Sequence, residues 1–115
     1  VLPEDLWEYR VPGSFELIYS TAWLAKGGQY DAIIAIGCVV RGETPHFDYI
    51  SEAVAVNLGK INAKGKVPVI MGVLTTNDMQ QALDRAGGKH GNKGIEAAVT
   101  ALKMMNPTRI LFTRE

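Results

Sequence analysis

The side chains best suited to chemistry are concentrated where strand-like segments end, at 11–16, 38–46 and 74–77. Among them His46 is the natural proton shuttle, because imidazole gains and loses protons near neutral pH. Thr44 and its glycine-containing loop offer hydroxyl and N–H donors, and Arg85 offers a planar guanidinium that can hold a phosphate through two hydrogen bonds. Glu16, beside a helix start, can accept hydrogen bonds from hydroxyls. This pattern predicts a site for a polar, phosphate-bearing substrate.

Each of these residues also has an ordinary structural explanation. A single histidine in a loop is more often solvent-exposed than catalytic, and Arg41, Arg85 and Lys93 would usually be surface charges. Cys38 lies in an apolar strand pattern, which favours a small buried side chain over a nucleophile. The glycine-rich loop at 87–94 lacks the order of a P-loop and follows a helix, so it supports nucleotide binding only weakly.

Alternating strands and helices must position these residues. Apolar runs rich in β-branched residues predict buried strands at 32–40 and 67–74, and a shorter strand of mixed polarity at 6–11. Helical spacing of apolar residues predicts helices at 15–26, 48–63, 78–85 and 92–105. Ser14 is predicted to cap the first helix, and Pro107 to end the last.

This order of elements predicts an α/β fold. A flavodoxin-like three-layer sandwich fits it, with helices on both faces of a central parallel sheet. A sheet of so few strands leaves a long apolar edge, and such edges invite pairing. We therefore expect the edge to be covered by a missing N-terminal strand, by a neighbouring subunit, or by both.

Length and charge exclude several classes of protein. The 115 residues make one domain, and 47% of them are hydrophobic, enough for a core. Twelve basic residues balance twelve acidic ones, which argues against a nucleic-acid partner. No apolar run is long enough to cross a membrane. The single cysteine excludes an internal disulfide, and with no signal segment it predicts a cytoplasmic protein, or a plastid one in a plant.

Four stretches carry a more specific pattern. They read Val-Pro-Gly-Ser-Phe-Glu-Leu at 11–17, Arg-Gly-Glu-Thr-Pro-His-Phe-Asp-Tyr within 37–49, Gly-Val-Leu-Thr-Thr-Asn at 72–77 leading into 81–87, and Gly-Asn-Lys-Gly at 91–94. In order and spacing they resemble the 6,7-dimethyl-8-ribityllumazine synthases of riboflavin biosynthesis over nearly the whole chain. The run that contains His46 is the most specific of them.

The resemblance implies a reaction. Family members condense 5-amino-6-ribitylaminouracil with 3,4-dihydroxy-2-butanone 4-phosphate. An imine forms, phosphate leaves, the ring closes and water is lost, which yields 6,7-dimethyl-8-ribityllumazine. The resemblance implies no metal and no organic cofactor, and much of the acceleration should come from holding two reactants in one pocket.

The resemblance also implies roles for residues at matching positions. His46 would donate and accept protons. Arg85 would hold the phosphate of the butanone substrate, together with Glu43 and Thr44, which would act largely through their backbones. The ribitylaminouracil would be bound by Ser14, Phe15, Glu16, Cys38, Val39, Val40 and Lys93.

The sequence departs from the family pattern in two ways. Family members begin with a further strand and helix, and that strand ends in an aromatic residue, which stacks on the uracil ring and is followed by asparagine. This sequence starts at Val1, after that region, so we expect residues 1–115 to form a single domain lacking that strand and helix. Met71 stands where many members have an aromatic contributed by a neighbouring subunit, and a methionine can still pack on a flat ring.

The resemblance implies assembly as well. Family members form homo-pentamers with active sites between subunits. The short loop between Arg85 and Asn92 resembles that of members whose pentamers build icosahedral shells, and riboflavin synthase is an implied partner. Two other functions stay open: a weakly active or inactive structural subunit of a ring or shell, and a flavodoxin-like domain that binds a phosphorylated ligand without turnover.

Overall fold

A pair of parallel strands forms the centre of the fold. The computed structural model describes residues 3–88 and 91–105. Within them, β1 (Ile33–Val40) and β2 (Val69–Thr76) pair along their full length, from Ile33 opposite Val69 to Val40 opposite Thr76. β2 begins two residues later than predicted, because Pro68 has no N–H to donate to the ladder. Its carbonyl oxygen still accepts from the Ile33 N–H at 2.9 Å.

Helices cover both faces of this pair, as predicted. On one face, α1 (Leu17–Gly27) and α2 (His46–Ala63) enclose the largest core. Its buried members are Ala35, Val54, Leu58, Val69 and Val73. On the other face, α4 (Lys93–Met104) packs the small residues Ala97 and Ala101 against Ile70. The α/β sandwich expected from the sequence is confirmed.

The helix ends follow local sequence in most places. Gly28 ends α1 in a left-handed conformation (φ 65°), as the Lys-Gly-Gly stop predicts. Asp78 caps α3 (Met79–Arg85) by accepting from the Gln81 N–H at 2.8 Å. The capping role predicted for Ser14 is wrong, because Ser14–Glu16 forms a 3-10 turn of its own without a side-chain cap. The predicted stop at Pro107 lies outside the described residues.

A small hairpin stands where the sequence predicts a glycine-rich loop. β3 (Ala86–Gly88) pairs antiparallel with β4 (Gly91–Asn92). Gly87 and Gly91 adopt positive φ angles of 111° and 84°, which side-chain-bearing residues rarely take. The hairpin sets the direction in which the chain leaves α3 and enters α4.

The predicted strand at 6–11 is wrong for the described chain. It has no partner strand there, and most of it is exposed. Its contact with the rest of the fold includes a hydrogen bond of 2.7 Å between the hydroxyls of Tyr9 and Tyr30, whose rings meet edge to face. A strand of mixed polarity needs a neighbour to supply its hydrogen bonds, so its sequence alone did not decide its structure.

The prediction that both faces of β1 are buried is also wrong. On the face of the sheet where α4 packs over β2, the β1 residues are Ile34, Ile36 and Cys38. All three are exposed, and the exposed fraction of Ile36 is 66%. The expectation that Cys38 is buried fails for the same reason: the helix on that side packs mainly over β2, around Ile70. None of the helices in the described part of the chain is long and apolar enough to cross a bilayer.

Candidate active site

The carboxyl ends of β1 and β2 meet at Arg41. Its backbone N–H donates to the Thr76 carbonyl oxygen at 2.8 Å, which extends the ladder one residue beyond β1. Its Nε donates to Asn77 Oδ1 at 3.0 Å, and a terminal nitrogen lies 3.4 Å from Asp48 Oδ1. The guanidinium also lies 4.6 Å from the centre of the Phe47 ring, in a cation–π contact. One side chain thus joins both strand ends to the first turn of α2.

His46 is the first residue of α2, not a loop residue as the sequence suggested. The helix begins earlier than predicted, directly after Pro45, whose fixed φ suits a helix start. The His46 N–H donates to Thr44 Oγ1 at 3.4 Å, and the residue is exposed. An imidazole at this position is open to a substrate that lies beyond the strand ends.

The turn Ser14–Glu16 lies directly against β1. A β-carbon added at Gly37 would be 2.8 Å from Ser14 Oγ, so the turn sits where only a glycine leaves room. Phe15 is 51% exposed and Glu16 is exposed as well. The ring and the carboxylate are therefore presented to solvent beside the carboxyl half of β1.

The remaining predicted contacts lie on the path from β1 to α2. Val39 and Val40 end the strand half-buried, and Cys38 before them is exposed. Glu43 and Thr44 are exposed in the connection to α2. The N-terminus of this 18-residue helix carries a partial positive charge that favours an anion nearby. This end of the sheet therefore has both hydrogen-bond donors and a favourable field for a phosphate.

Arg85 and Lys93 share a cleft of about 350 Å³. Arg85 ends α3 and Lys93 begins α4, and the hairpin between them returns the chain so that both reach it. The other walls are Val73, Leu74, Thr75 and Glu96. Two cationic side chains in one cleft suit a phosphate group, and Glu96 limits the net charge.

Met71 is 40% exposed and lines a second cleft of about 410 Å³ between β2 and α4. The thioether is therefore accessible on the outside of the subunit. Within residues 3–88 and 91–105, no group of three or more His, Cys, Asp or Glu side chains is placed to hold a metal ion.

Comparison with known proteins decides the family. The family model for 6,7-dimethyl-8-ribityllumazine synthase matches residues 1–109. A protein of that name from Porphyromonas gingivalis is 64% identical over 110 residues, which is 96% of this chain and 68% of that protein. Others are 58% identical in Phocaeicola vulgatus (84% of this chain, 57% of the relative) and 54% in Parabacteroides distasonis (92% and 66%).

The chain belongs to the 6,7-dimethyl-8-ribityllumazine synthase family. It spans between 57% and 68% of the length of these three lumazine synthases. The family predicted from the His46-containing run is confirmed, and with it an enzyme family of the transferase class. Nothing in the comparisons favours the inactive structural subunit.

The lumazine synthase fold gathers some predicted site residues and separates others. The turn at Ser14, the end of β1 and the start of α2 lie together. Arg85 and Lys93 lie together in their own cleft. Among the residues described, no hydrogen bond or ion pair joins Arg85 to His46, although both are expected to act on one substrate.

Sequence reasoning missed the role of Arg41 in this lumazine synthase family member. It was assigned to the surface, and its exposure agrees with that, yet its contacts connect three segments. Its partner Asn77 was also passed over. The sequence carried no direct signal for the pair, because the second strand was predicted to end at 74, and Arg41 and Asn77 become neighbours only through the observed pairing of Val40 with Thr76.

Proposed function

We propose that this chain supplies the catalytic machinery of a lumazine synthase, which condenses 5-amino-6-ribitylaminouracil with 3,4-dihydroxy-2-butanone 4-phosphate. The observation that carries the proposal is the meeting of three segments beyond the strand ends: the turn against Gly37, the end of β1 and the first turn of α2. The family match over residues 1–109 supports the choice of substrates.

In the proposed reaction, His46 moves protons. The amine of the uracil substrate attacks the ketone carbon, and the new C–N bond becomes an imine when the carbonyl oxygen leaves as water. Elimination then removes a proton from carbon while the C–O bond to phosphate breaks, and the resulting enol takes up a proton on its terminal carbon to become a methyl ketone. Ring closure by the ribityl-bearing nitrogen loses a second water. An exposed imidazole at the start of α2 can accept the proton in one step and return it in another.

The two substrates would be held by different groups. Phe15 would stack on the uracil ring, and Glu16 would accept hydrogen bonds from ribityl hydroxyls. Peptide groups of Cys38, Val39 and Val40 would meet the pyrimidine edge. Arg85 would hold the phosphate with the help of the backbone at Glu43 and Thr44, and Lys93 would reach a substrate from the same cleft.

We propose that the complete site forms between adjacent subunits of a pentamer. This is supported by the lining of the Arg85 and Lys93 cleft, which does not include His46, so a second copy would complete a site that uses both. Met71, exposed in the second cleft between β2 and α4, would close the pocket of the neighbour. The short β3–β4 hairpin is consistent with pentamers that build icosahedral shells, for which riboflavin synthase would be a partner in the cytoplasm.

We further propose that another strand pairs with the free edge of β1. Within the described residues β1 pairs with β2 alone and the segment at 6–11 has no partner strand, and an inserted strand would provide a partner for both. Residues 1–115 would then be most of a single domain.

The test measures lumazine formation by the complete protein and by His46→Gln. Loss of the imidazole should lower kcat by roughly 10²-fold, the lower end for general acid–base catalysis, because water can reach this exposed position and partly replace it. Sedimentation should show unchanged assembly. No product from the unmodified protein would favour the structural subunit or the ligand-binding domain. Equal turnover by the variant would remove His46 from the mechanism.

A further inference from the structure

The geometry points to Arg41 as a positioning residue that fixes His46, and the loop before it, to the end of β2. This inference rests on the proposed function for its catalytic meaning, and on the contacts alone for its structural meaning. Arg41 touches no substrate in this scheme. It acts through the two helix starts that its side chain connects.

The first connection runs to α2. The guanidinium lies over the Phe47 ring and beside the Asp48 carboxylate, and both residues directly follow His46. The loop from Gly42 to Pro45 is therefore bridged, because Arg41 precedes it and contacts the helical turn that follows it. Glu43 and Thr44, the backbone groups expected to face phosphate, lie inside this closed loop.

The second connection runs to α3. Arg41 Nε donates to Asn77 Oδ1, and the Asn77 N–H donates to Gln81 Oε1 at 2.8 Å. Gln81 in turn donates its own N–H to the capping carboxylate of Asp78 at 2.8 Å. Asn77 is therefore held from both sides, and α3, which ends in Arg85, begins at a fixed point.

An exposed arginine with a single carboxylate partner would carry no such argument, because isolated surface ion pairs contribute little. Arg41 differs in using the fork of its guanidinium in two directions while it also lies over the Phe47 ring. Its backbone N–H is bonded as well, to Thr76. A lysine has one ammonium group and cannot make these contacts at once. These contacts indicate that Arg41 acts by holding its neighbours in position rather than through its charge.

Kinetics of Arg41→Gln, Arg41→Lys and the matched control Arg10→Gln test the inference. Arg10 is exposed and pairs with Glu8, which is exposed as well. Misplacing a catalytic group by about 1 Å can cost about 10²-fold in rate, so Arg41→Gln should lower kcat roughly 10- to 100-fold with a smaller change in either KM. Arg41→Lys should fall between Arg41→Gln and the unmodified protein, and Arg10→Gln should leave kcat unchanged.

A double variant separates this network from a general loss of stability. Asn77→Ala alone should lower kcat, and adding it to Arg41→Gln should cost little more, because both changes break the same connection. Fully additive effects, or Arg41→Gln kinetics equal to those of Arg10→Gln, would overturn the inference.

Amide hydrogen exchange provides a readout that does not depend on activity. Arg41→Gln should speed exchange at 42–49 and at 77–81 while exchange within β1 stays slow. If the unmodified protein forms no lumazine but this exchange pattern appears, the proposed function fails and the positioning contact stands. If lumazine forms but exchange in both segments is unchanged, the inference fails and the proposed function stands.

Discussion

Ser14 lies against Gly37, where the 3-10 turn meets the sheet. A β-carbon at Gly37 would be 2.8 Å from Ser14 Oγ and 3.3 Å from Leu17 Cδ1. The absence of a side chain at one position of β1 thus sets where Phe15 and Glu16 are presented. This dependence can be measured.

Gly37→Ala should weaken binding of the ribitylaminouracil. The new methyl group displaces the turn, and an overpacking cost of about 1 kcal/mol corresponds to a rise in KM of roughly fivefold. Steady-state kinetics with each substrate varied in turn would show it, with a smaller effect on the KM of the butanone phosphate. The control is Gly59→Ala, where the added methyl meets open space on α2 and should stabilise the protein by about 0.5–1 kcal/mol. Similar KM values for the two variants would contradict the role assigned to Gly37.

Gly72→Ala should destabilise the fold rather than change substrate affinity. A β-carbon there would be 3.2 Å from the Ala35 carbonyl oxygen and 3.6 Å from Ala97 Cβ, between β1 and α4. Backbone cannot move aside as a side chain can, so we expect the free energy of unfolding to fall by about 1–3 kcal/mol. Urea denaturation followed by circular dichroism would measure it, and an unchanged midpoint would show that α4 shifts freely.

Arg85→Gln should raise the KM for the butanone phosphate about tenfold or more, because two charge-assisted hydrogen bonds to phosphate are lost. The KM for the uracil substrate should change much less. Arg85→Lys should recover only part of the loss, since an ammonium cannot form the paired contact. Parallel changes in both KM values would place Arg85 outside the phosphate site.

Tyr9→Phe should return the pKa of Tyr30 towards its ordinary value of 10.0. The pKa is raised mainly by the hydrogen bond to the Tyr9 hydroxyl, with smaller contributions from burial and from the neighbouring charge. A raised pKa means that the folded state favours the neutral phenol. The resulting stabilisation is complete below the unfolded pKa and is lost as the pH rises through the folded one. The difference in melting temperature between the unmodified protein and Tyr9→Phe should therefore become smaller above about pH 10.

Tyrosine-selective NMR titration measures that pKa directly. Tyr19→Phe is the matched control, because its ring is 75% exposed on α1. A Tyr30 titration that is identical in Tyr9→Phe and in the unmodified protein would show that the two hydroxyls do not interact in solution.

The parts of the fold that were predictable from sequence depend on local pattern. The runs around Ala35 and Val73 are rich in β-branched residues, so both strands follow from composition and length. The exposure of Ile36 could not be predicted this way, because it depends on which strand α4 covers. The structure of segment 6–11 could not be predicted from its sequence either, since a strand forms only where a partner supplies hydrogen bonds.

The candidate site also contains residues that could be predicted from the sequence and residues that could not. His46 and Arg85 were identifiable by residue type and family pattern. The contact between Arg41 and Asn77 joins residues 36 positions apart, and it becomes visible only when the register of the two strands is known. Its importance is geometric, so residue type alone assigns Arg41 to the surface and gives Asn77 no role.

The parallel register has a kinetic consequence. Ile33 pairs with Val69 and Val40 with Thr76, so every rung of the ladder closes a loop of the same length, with α2 inside it. In a hairpin the rung beside the turn forms most easily, but here no rung has that advantage. The entropy of loop closure must therefore be overcome before any pairing is gained. Early formation of α2 shortens the span that has to close. The helix that carries His46 is therefore expected to lie in the folding nucleus, so changes along it will affect how fast the protein reaches its native state as well as how it reacts once there.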